Sequence, residues 1–251
     1  MFPFLKKKIN LKDLLEDFVD IHNHLLPGID DGAAVVEDSI AMIRRLGEIG
    51  VNKFIATPHI MNDYYPNTPK TIHKALSILQ ERLQLEGLIN VQIKAAAEYM
   101  MDHSFIELLE KESLLTLKDN LVLVEMSYFQ APINLNEILF QLQTSSYKPI
   151  LAHPERYVFF HSKKLEKYYE LKDRGCVFQL NLLSVTGHYG KSIQEIAYKL
   201  LDAGLIDYIG SDTHQQRHLD KLWQAKLDQK KIDQLRPIFE RTKNTFNSCF
   251  T

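Results

Sequence analysis

Two histidines and two aspartates lie close together near the start of the chain, in the stretch VDIHNHLLPGIDDGA. They are His22, His24, Asp30 and Asp31. Side chains at alternate positions of a β-strand point to the same face, so His22 and His24 are expected to project together. Charged and imidazole groups are costly to bury alone, and a shared cation removes that cost. The stretch therefore predicts a metal site.

Side chains that can bind metals recur where other predicted strands end. They are His59 in ATPH, Glu98 in AAAE, Glu125 in LVEMS, His153 in LAHPER, and Asp212 and His214 in GSDTH. One such histidine alone is most often a partly buried structural residue. Nine strand-end groups, counting His22, His24 and Asp31, are too many for independent accidents. The remaining histidines, which share no register, are expected to be structural or on the surface: His73, His103, His161, His188 and His218.

The elements that would position these groups alternate along the chain. Short apolar, β-branched runs predict strands at 18–24, 53–59, 91–98, 121–127, 149–155, 177–183 and 207–214. Helical patterns lie between several of them, at 36–50, 68–87, 162–175 and 191–204, and the tail after Leu219 is also expected to be helical. Alternation of this kind predicts an α/β fold with parallel strands, either a closed barrel or a doubly wound sheet. In barrels, catalytic groups come from the carboxyl ends of several strands.

Bulk composition narrows the class of protein. The chain of 251 residues suits one domain, residues 1–251, in which residues 1–17 form an N-terminal extension. For this extension we favour a short helix that packs on the body over one that contacts a partner. The net charge of −2 does not favour nucleic acid as a partner. Two distant cysteines suggest no disulfide framework and fit a cytoplasmic location. No apolar run is long enough for a transmembrane helix, so we do not expect the chain to span a membrane.

The predicted ligand set indicates a type of chemistry. Imidazole combined with carboxylate suits manganese, iron or zinc better than calcium, and nine side chains suit three ions. Clustered ions can hold a phosphate and activate water, so hydrolysis of a phosphate ester is the expected reaction. Arg156 could grip phosphate with its guanidinium, and Arg217 is a weaker candidate for the same task. Neither cysteine lies in a phosphate-binding loop that ends in arginine, which disfavours a cysteine phosphatase.

With these motifs in order, the chain resembles the polymerase-and-histidinol-phosphatase (PHP) superfamily. The similarity extends over about residues 18–215 and is greatest to a bacterial branch of manganese-dependent tyrosine phosphatases of capsule and exopolysaccharide biosynthesis. It implies a distorted, TIM-like barrel of seven βα units. It also implies three divalent ions, most naturally Mn, with Fe, Zn or Mg as alternatives. The implied ligand sets are His22, His24, Glu98 and Asp212 for one ion, Glu98, Glu125 and His153 for a second, and Asp31, His59 and His214 for a third.

The resemblance further implies a function. The chain would hydrolyse phosphotyrosine on a protein, the tail of a bacterial tyrosine kinase being the expected partner. Arg156 would hold the phosphate, and Asp212 or His214 could supply a proton. One alternative is a small-molecule phosphatase, such as a histidinol-phosphate phosphatase. Another is a metal-binding regulatory module without catalytic activity, although the complete ligand set argues against it.

Overall fold

Parallel strands alternate with helices along the computed structural model, which describes residues 8–111 and 113–250. The strands are β1 (Lys8–Asn10), β2 (Val19–Asp20), β3 (Lys53–Ala56), β4 (His59–Ile60), β5 (Gln92–Ala95), β6 (Glu98–Met100), β7 (Leu121–Glu125), β8 (Lys148–Ala152), β9 (Val177–Asn181), β10 (Tyr208–Gly210) and β11 (Lys226–Asp228). The α-helices are α1 (Val36–Gly47), α2 (Pro69–Leu85), α3 (Phe105–Lys111), α4 (Leu135–Thr144), α5 (Glu166–Asp173), α6 (Leu182–Thr186), α7 (Lys191–Asp202), α8 (Gln216–Gln224) and α9 (Gln229–Phe246). Each predicted strand region contains a strand, and each predicted helical region contains a helix.

The strands form two parallel sheets and one antiparallel pair. The larger parallel sheet has the order β10-β9-β8-β7-β6-β4, and the smaller has the order β2-β3-β5. Parallel neighbours need long crossover connections, and helices supply most of them here. The antiparallel pair joins β1 to β11.

The two parallel sheets curl towards each other. The edge strands β2 and β10 meet just beyond their ends, where the amide of Asp212 donates to the carbonyl of His22 at 2.7 Å and that of His24 donates to Thr213 at 3.0 Å. On the other side, β3 continues along the chain into β4, and β5 continues into β6. The result is a mixed α/β fold in which a curled parallel sheet wraps around a buried interior.

Two predicted strands are each divided into two short ones, which sequence periodicity did not indicate. Between β3 and β4 stands Pro58, which has no amide hydrogen to give to a sheet ladder. Its carbonyl still accepts from the amide of Glu98 at 3.1 Å, while Ala96 donates to Ala56 at 2.8 Å. The chain therefore changes sheets at these points while the neighbouring segments stay side by side.

Helix boundaries follow local side-chain chemistry. At the start of α2, the Thr68 hydroxyl accepts a hydrogen bond from the amide of Thr71, and Pro69 occupies the first turn, where its missing amide hydrogen costs nothing. Helices α3, α4 and α6 were not predicted from the sequence, and α6 is only one turn long. Within the described residues, no helix is both long enough and apolar enough to cross a lipid bilayer.

The start of the chain differs from the expected helix. Residues 1–7 lie outside the described part, and the following residues form β1 and a single 3-10 turn over Leu11–Leu14. The side chains of Leu11 and Leu15 are fully buried in the main core. This segment is therefore packed against the body of the protein through apolar contacts.

Substitution of Gly210 by alanine is expected to destabilise the fold at the junction of β9, β10 and the residues after β2. A Cβ at Gly210 would lie 2.5 Å from Cβ of His22 and 2.8 Å from Nε2 of Gln179. Overpacking of a well-packed interior costs about 1–3 kcal/mol. We expect a lower urea midpoint for Gly210→Ala, measured by circular dichroism.

A matched control is Gly47→Ala, at the end of α1. Its new Cβ would meet Oδ1 of Asn52 at 3.5 Å, an ordinary contact. Alanine is favoured over glycine within helices by about 1 kcal/mol. The control should therefore unfold at the parent midpoint or higher, and equal losses in the two variants would contradict the close-packing argument.

Candidate metal centre

The nine side chains predicted to bind metals converge at one end of the curled sheet. Their ligand atoms form four overlapping groups, each with its atoms within 4.8 Å of one another. The groups are His24, Asp31, His59 and His214; His22, His24 and Asp212; His22, Glu98 and His153; and His59, Glu98 and Glu125. Each predicted residue belongs to at least one group, so the expected convergence is confirmed.

Glu98, at the start of β6, lies at the centre of the cluster. Its Oε2 is 3.2 Å from Nε2 of His22 and 3.2 Å from Nδ1 of His59, and its Oε1 is 3.0 Å from Nε2 of His153. Its side chain is fully buried. A carboxylate with both oxygens among different imidazoles can bridge two ions.

Asp212 and Asp31 hold the imidazoles together from two other sides. Oδ1 of Asp212 is 3.4 Å from Nε2 of both His22 and His24. Oδ1 of Asp31 is 3.4 Å from Nε2 of His59 and 3.5 Å from Nε2 of His214. Asp212 is buried, whereas the Asp31 side chain is 52% exposed. Asp31 therefore lies on the open side of the cluster.

His59 faces two of the groups. Its Nδ1 lies 2.9 Å from Oε1 of Glu125, while its Nε2 faces Asp31. A neutral imidazole offers one lone pair, so only one of the two nitrogens can bind an ion. The resemblance assigns His59 to Asp31 and His214, and the geometry is compatible with that assignment.

Several ligand atoms in the buried part of the cluster have no hydrogen-bond partner. They include Nε2 of His22, Nε2 of His24, Oε2 of Glu98 and Oε1 of Glu125. Buried polar atoms are almost always hydrogen-bonded, and leaving them unpaired is costly. Divalent cations would satisfy all of these atoms at once, so the residues present fit a set of bound metals.

The imidazoles and carboxylates of the cluster stabilise each other's charged forms. Burial opposes the charged form of His22, yet the carboxylates of Glu98 and Asp212 raise its pKa above the ordinary value. Burial likewise disfavours a charged Glu98, but the surrounding imidazoles hold its pKa well below the usual range. The pKa of Asp212 is also lowered well below its usual range, mainly because His22 and His214 outweigh the effect of burial.

Three residues that the sequence did not identify as ligands, Gln179, Asp30 and Asn181, orient the ligands. Nδ1 of His22 donates to Oε1 of Gln179 at 2.8 Å, and Nδ1 of His24 donates to Oδ2 of Asp30 at 2.8 Å. These bonds leave the Nε2 lone pair of each ring directed into the cluster, as is usual for metal-binding histidines. Nδ2 of Asn181 donates to Oδ2 of Asp212 at 2.6 Å.

The sequence did carry a signal for two of these residues. Gln179 and Asn181 are both polar, two positions apart, on β9, a strand whose residues are all buried. Buried amides require hydrogen-bond partners, so an alternating polar pair in an apolar strand indicates a buried polar network. The strand that lacked a predicted metal ligand therefore supplies orienting groups.

Backbone strain coincides with two predicted ligands. His153 has φ of 36° and Asp212 has φ of 50°, both in the left-handed region. Non-glycine residues in this region cost energy and concentrate at functional sites. His153 directly follows β8, and Asp212 follows the end of β10 after one intervening residue. The turn at each position directs the side chain into the cluster.

Arg156 lies beside the cluster at the edge of the cavity. Its Nη1 donates to Oδ2 of Asp212 at 2.9 Å. Its guanidinium carbon is 4.4 Å from the ring centre of Tyr128 and 4.2 Å from that of Tyr189, so the group lies between two aromatic rings. Cation–π contacts of this kind restrain a guanidinium. The neighbouring Glu155 is fully buried, where burial raises its pKa to about 7.

A cavity of about 850 Å³ opens above the cluster. Its lining includes Glu98, Glu125, His153, Asp212 and Arg156. Pockets for drug-sized ligands range from about 300 to 1,000 Å³, so this one admits more than a single ion or water cluster.

The expectation for the remaining histidines is confirmed in part. His73 and His103 are exposed, as expected. His188 and His218, however, line the same cavity, as does Arg217. Nδ1 of His218 accepts a hydrogen bond from the amide of His214 at 3.2 Å. His188 lies in the loop before α7 and His218 lies on α8, so both reach the cavity because α8 packs beside that loop. Spacing along the sequence does not indicate this packing.

Replacement of Gln179 by alanine is expected to weaken metal binding. The change removes the acceptor that fixes the tautomer and direction of His22, and loss of such an outer partner typically costs 10–100-fold in metal affinity, which is about the loss expected here. Mn²⁺ affinity would be measured by titration calorimetry. The matched control is Gln80→Ala on α2, where the amide donates to the carbonyl of Ile93 at 3.1 Å away from the cluster. Equal affinity in both variants would contradict the orienting role of Gln179.

Comparison with known proteins identifies a family and several relatives of this chain. The family described as "Capsular polysaccharide synthesis, CpsB/CapC" matches residues 18–231. The tyrosine-protein phosphatase YwqE of Bacillus subtilis (strain 168) is 33% identical over 201 residues, which cover 78% of this chain and 77% of that protein. The tyrosine-protein phosphatase CpsB of Streptococcus pneumoniae is 28% identical over 203 residues, covering 78% of this chain and 82% of that protein.

A solved structure is similar as well. It comes from a crystallographic study of YwqE from Bacillus subtilis and CpsB from Streptococcus pneumoniae, which describes them as unique metal-dependent tyrosine phosphatases. It superposes with a TM-score of 0.70 and 30% sequence identity, over 81% of this chain and 84% of that chain. The resemblance inferred from the motifs is therefore confirmed, and this chain belongs to the CpsB/CapC family of capsular polysaccharide synthesis proteins.

Proposed function

We propose that this protein is a metal-dependent phosphatase that hydrolyses phosphotyrosine on a protein substrate. The convergence of nine metal-competent side chains below an open cavity is the observation that carries this proposal. The names of the relatives, which are tyrosine-protein phosphatases, support it. The expected substrate is the phosphorylated tail of a tyrosine kinase of capsule or exopolysaccharide biosynthesis, in the cytoplasm.

We propose three divalent ions, manganese being the preferred metal and iron, zinc or magnesium the alternatives. His22, His24, Glu98 and Asp212 would hold one ion. The other two sets would be Glu98, Glu125 and His153, and Asp31, His59 and His214. When bound, such ions would act as Lewis acids towards phosphate and make water more acidic. The supporting scaffold would be a single domain, residues 1–251 with 1–17 as an extension, built as a distorted barrel of seven βα units.

The protein's own groups would act on the phosphate and on protons. Water would form a bond to phosphorus while the bond from phosphorus to the tyrosyl oxygen breaks. Arg156 would donate from its guanidinium to phosphate oxygens, whose charge changes as the bond breaks. Asp212 or His214, the two candidate catalytic proton donors, would supply a proton to the tyrosyl oxygen as it leaves. A phenol has a pKa near 10, so its oxygen needs less proton donation on leaving than an alkoxide does.

Catalysis through cysteine has no support in the site. Cys176 is buried at the start of β9, away from the strand ends that carry the cluster, and burial raises its thiol pKa to about 12. A nucleophilic cysteine needs a lowered pKa and an accessible thiolate. Cys176 is therefore unsuited to act as the nucleophile, and water is the nucleophile that this cluster suits.

Removal of bound metal is expected to abolish activity. After chelation and desalting, hydrolysis of a phosphotyrosine peptide should fall at least about 100-fold and return with Mn²⁺, because the buried carboxylates would repel phosphate without cations. Elemental analysis would give the number of ions per chain. Addition of Mn²⁺ should also raise the melting temperature, since a ligand that binds only the folded state stabilises it.

Two results would contradict this expectation. Full activity in a preparation shown by elemental analysis to be free of metal would exclude the metal-dependent mechanism. Metal binding with no hydrolysis of any phosphate ester would favour the regulatory module. Histidinol phosphate, assayed beside the phosphotyrosine peptide, distinguishes the small-molecule phosphatase, which should prefer histidinol phosphate.

Substitution of Arg156 is expected to impair catalysis more than metal binding. Loss of a donor to developing charge typically costs about 10²–10³ in kcat. Arg156→Lys keeps a positive charge but loses the planar fork, so its kcat should also fall well below that of the parent. The metal content should stay at the parent value.

Arg236→Lys, on the exposed side of α9, is the matched control and should retain the parent kcat. An unchanged kcat in Arg156→Lys would show that only positive charge is required there. A large loss of metal in Arg156→Lys would show that the residue acts by holding Asp212.

A further inference from the structure

Large apolar side chains are exposed around the mouth of the cavity. Phe129 is 93% exposed, Tyr64 is 76% exposed, and Ile133 is fully exposed. We name these three residues, Tyr64, Phe129 and Ile133, the apolar rim. Single exposed apolar residues are common on proteins, whereas a group beside a binding cavity marks an interaction site.

The segment that carries Phe129 and Ile133 has no formal charge. Residues 127–134, SYFQAPIN, contain no lysine, arginine, aspartate or glutamate. The cavity is different elsewhere, because Arg217 and His218 line it on the side of α8, and Asp63 lines it beside Tyr64. A ligand that crosses the mouth towards residues 127–134 therefore meets an uncharged, largely apolar surface.

The apolar rim is continuous with the cavity. Tyr64, Phe129 and Pro132 line the cavity itself, and Ile133 directly follows Pro132. The cavity ends below at the metal-competent cluster. A substrate whose phosphate lies on that cluster would thus extend its neighbouring residues over the rim.

The loop beneath the apolar rim is anchored to the protein. The ring of Tyr128 stacks on that of Tyr157, with centroids 6.0 Å apart and an interplanar angle of 28°. The hydroxyl of Tyr157 accepts a hydrogen bond from the amide of Met126 at 3.0 Å, and Tyr157 is fully buried. On its other side, Tyr128 packs on the guanidinium of Arg156. A surface held in this way loses little conformational freedom when it binds.

We propose that the apolar rim binds the polypeptide next to the phosphotyrosine, and that it selects substrates with a large apolar side chain within a few residues of that tyrosine. This inference rests on the proposed function, because the phosphate must occupy the cluster for the flanking residues to reach the rim. A second copy of the chain seated on the rim would close the mouth to substrate. The absence of lysine and arginine from residues 127–134 gives this segment no attraction for anionic lipid.

The test compares two phosphotyrosine peptides that differ only in flanking residues, leucine in one and glutamine in the other. The measured quantity is the apolar preference, which is kcat/KM for the leucine peptide divided by kcat/KM for the glutamine peptide. For the parent protein we expect a preference of about tenfold, the scale on which small apolar differences are discriminated. Phe129→Gln and Ile133→Gln should each reduce this ratio severalfold. Because the ratio cancels any general loss of activity or folded protein, it isolates the contact with the apolar side chain.

The matched control is Ile89→Gln. Ile89 is 86% exposed in the turn between α2 and β5, and it does not line the cavity at the cluster. Its apolar preference should equal that of the parent. An equal fall in the control would show a nonspecific effect and overturn the proposal.

Other outcomes separate this inference from the proposed function. If the parent hydrolyses both peptides equally, the apolar rim does not select substrate, although the phosphatase assignment stands. If it hydrolyses neither peptide, nor free phosphotyrosine, the proposed function itself fails. Concentration-dependent dimers in sedimentation, or binding to phosphatidylserine vesicles, would overturn the proposal in favour of another occupant if Ile133→Gln abolished them.

Discussion

The burial of imidazoles and carboxylates at one end of the sheet is the constraint on which the rest of the structure depends. Such groups cannot be buried separately without a large loss of solvation free energy. Here they are placed so that each carboxylate faces several imidazoles, with Glu98 in the centre. Strands that end together in space, although far apart in sequence, are what makes this arrangement possible. The fold therefore stabilises the site by bringing groups of opposite charge together at the strand ends.

The sheet departs from regular strand geometry where several of these ligands lie. Pro58 interrupts one strand, and the chain changes sheets between β5 and β6, which brings His59 and Glu98 into register as paired residues of β4 and β6. Left-handed backbone at His153 and Asp212 turns two more ligands inward. Local strain of this kind persists only when the surrounding packing holds it. The close approach of Gly210 to His22 shows how tightly the packing is fitted behind the ligands.

Much of this arrangement could be predicted from sequence because strand ends carry a strong local signal. The histidine pair after β2 and the Asp212–His214 pair after β10 were recognised by residue type and alternation alone, and their convergence follows from parallel strands. The division of two predicted strands was not recognised. A proline next to a threonine also suits a strand end at 57–58, and the alanine run at 95–97 carries no sign of a break. The orienting roles of Gln179 and Asp30 were missed because each depends on which ring nitrogen the residue faces, which is a property of three-dimensional structure. His188 and His218 were set aside because their position depends on helix packing, which brings His218 beside His214 and His188 beside His218.

The shifted pKa values of the buried imidazoles and carboxylates make the stability of the cluster depend on pH. The pKa values of His22, His24 and His59 are raised, so their protonation stabilises the fold fully below about pH 6.5, and this contribution is lost as the pH rises through their folded values. The pKa values of Glu98 and Asp212 are lowered, so their contribution is present above about pH 4.5 and lost as the pH falls through their folded values. Between these limits these three imidazoles are protonated and these two carboxylates are ionised, so opposite charges face each other. Histidine binds a metal as neutral imidazole, and aspartate and glutamate bind as carboxylates. Cations therefore displace the protons from the imidazoles when they bind. Protons and metal ions therefore compete for the same imidazole nitrogens. The hydrogen bonds to Gln179 and Asp30 favour the metal ions, because they fix the direction of the Nε2 lone pair of His22 and His24.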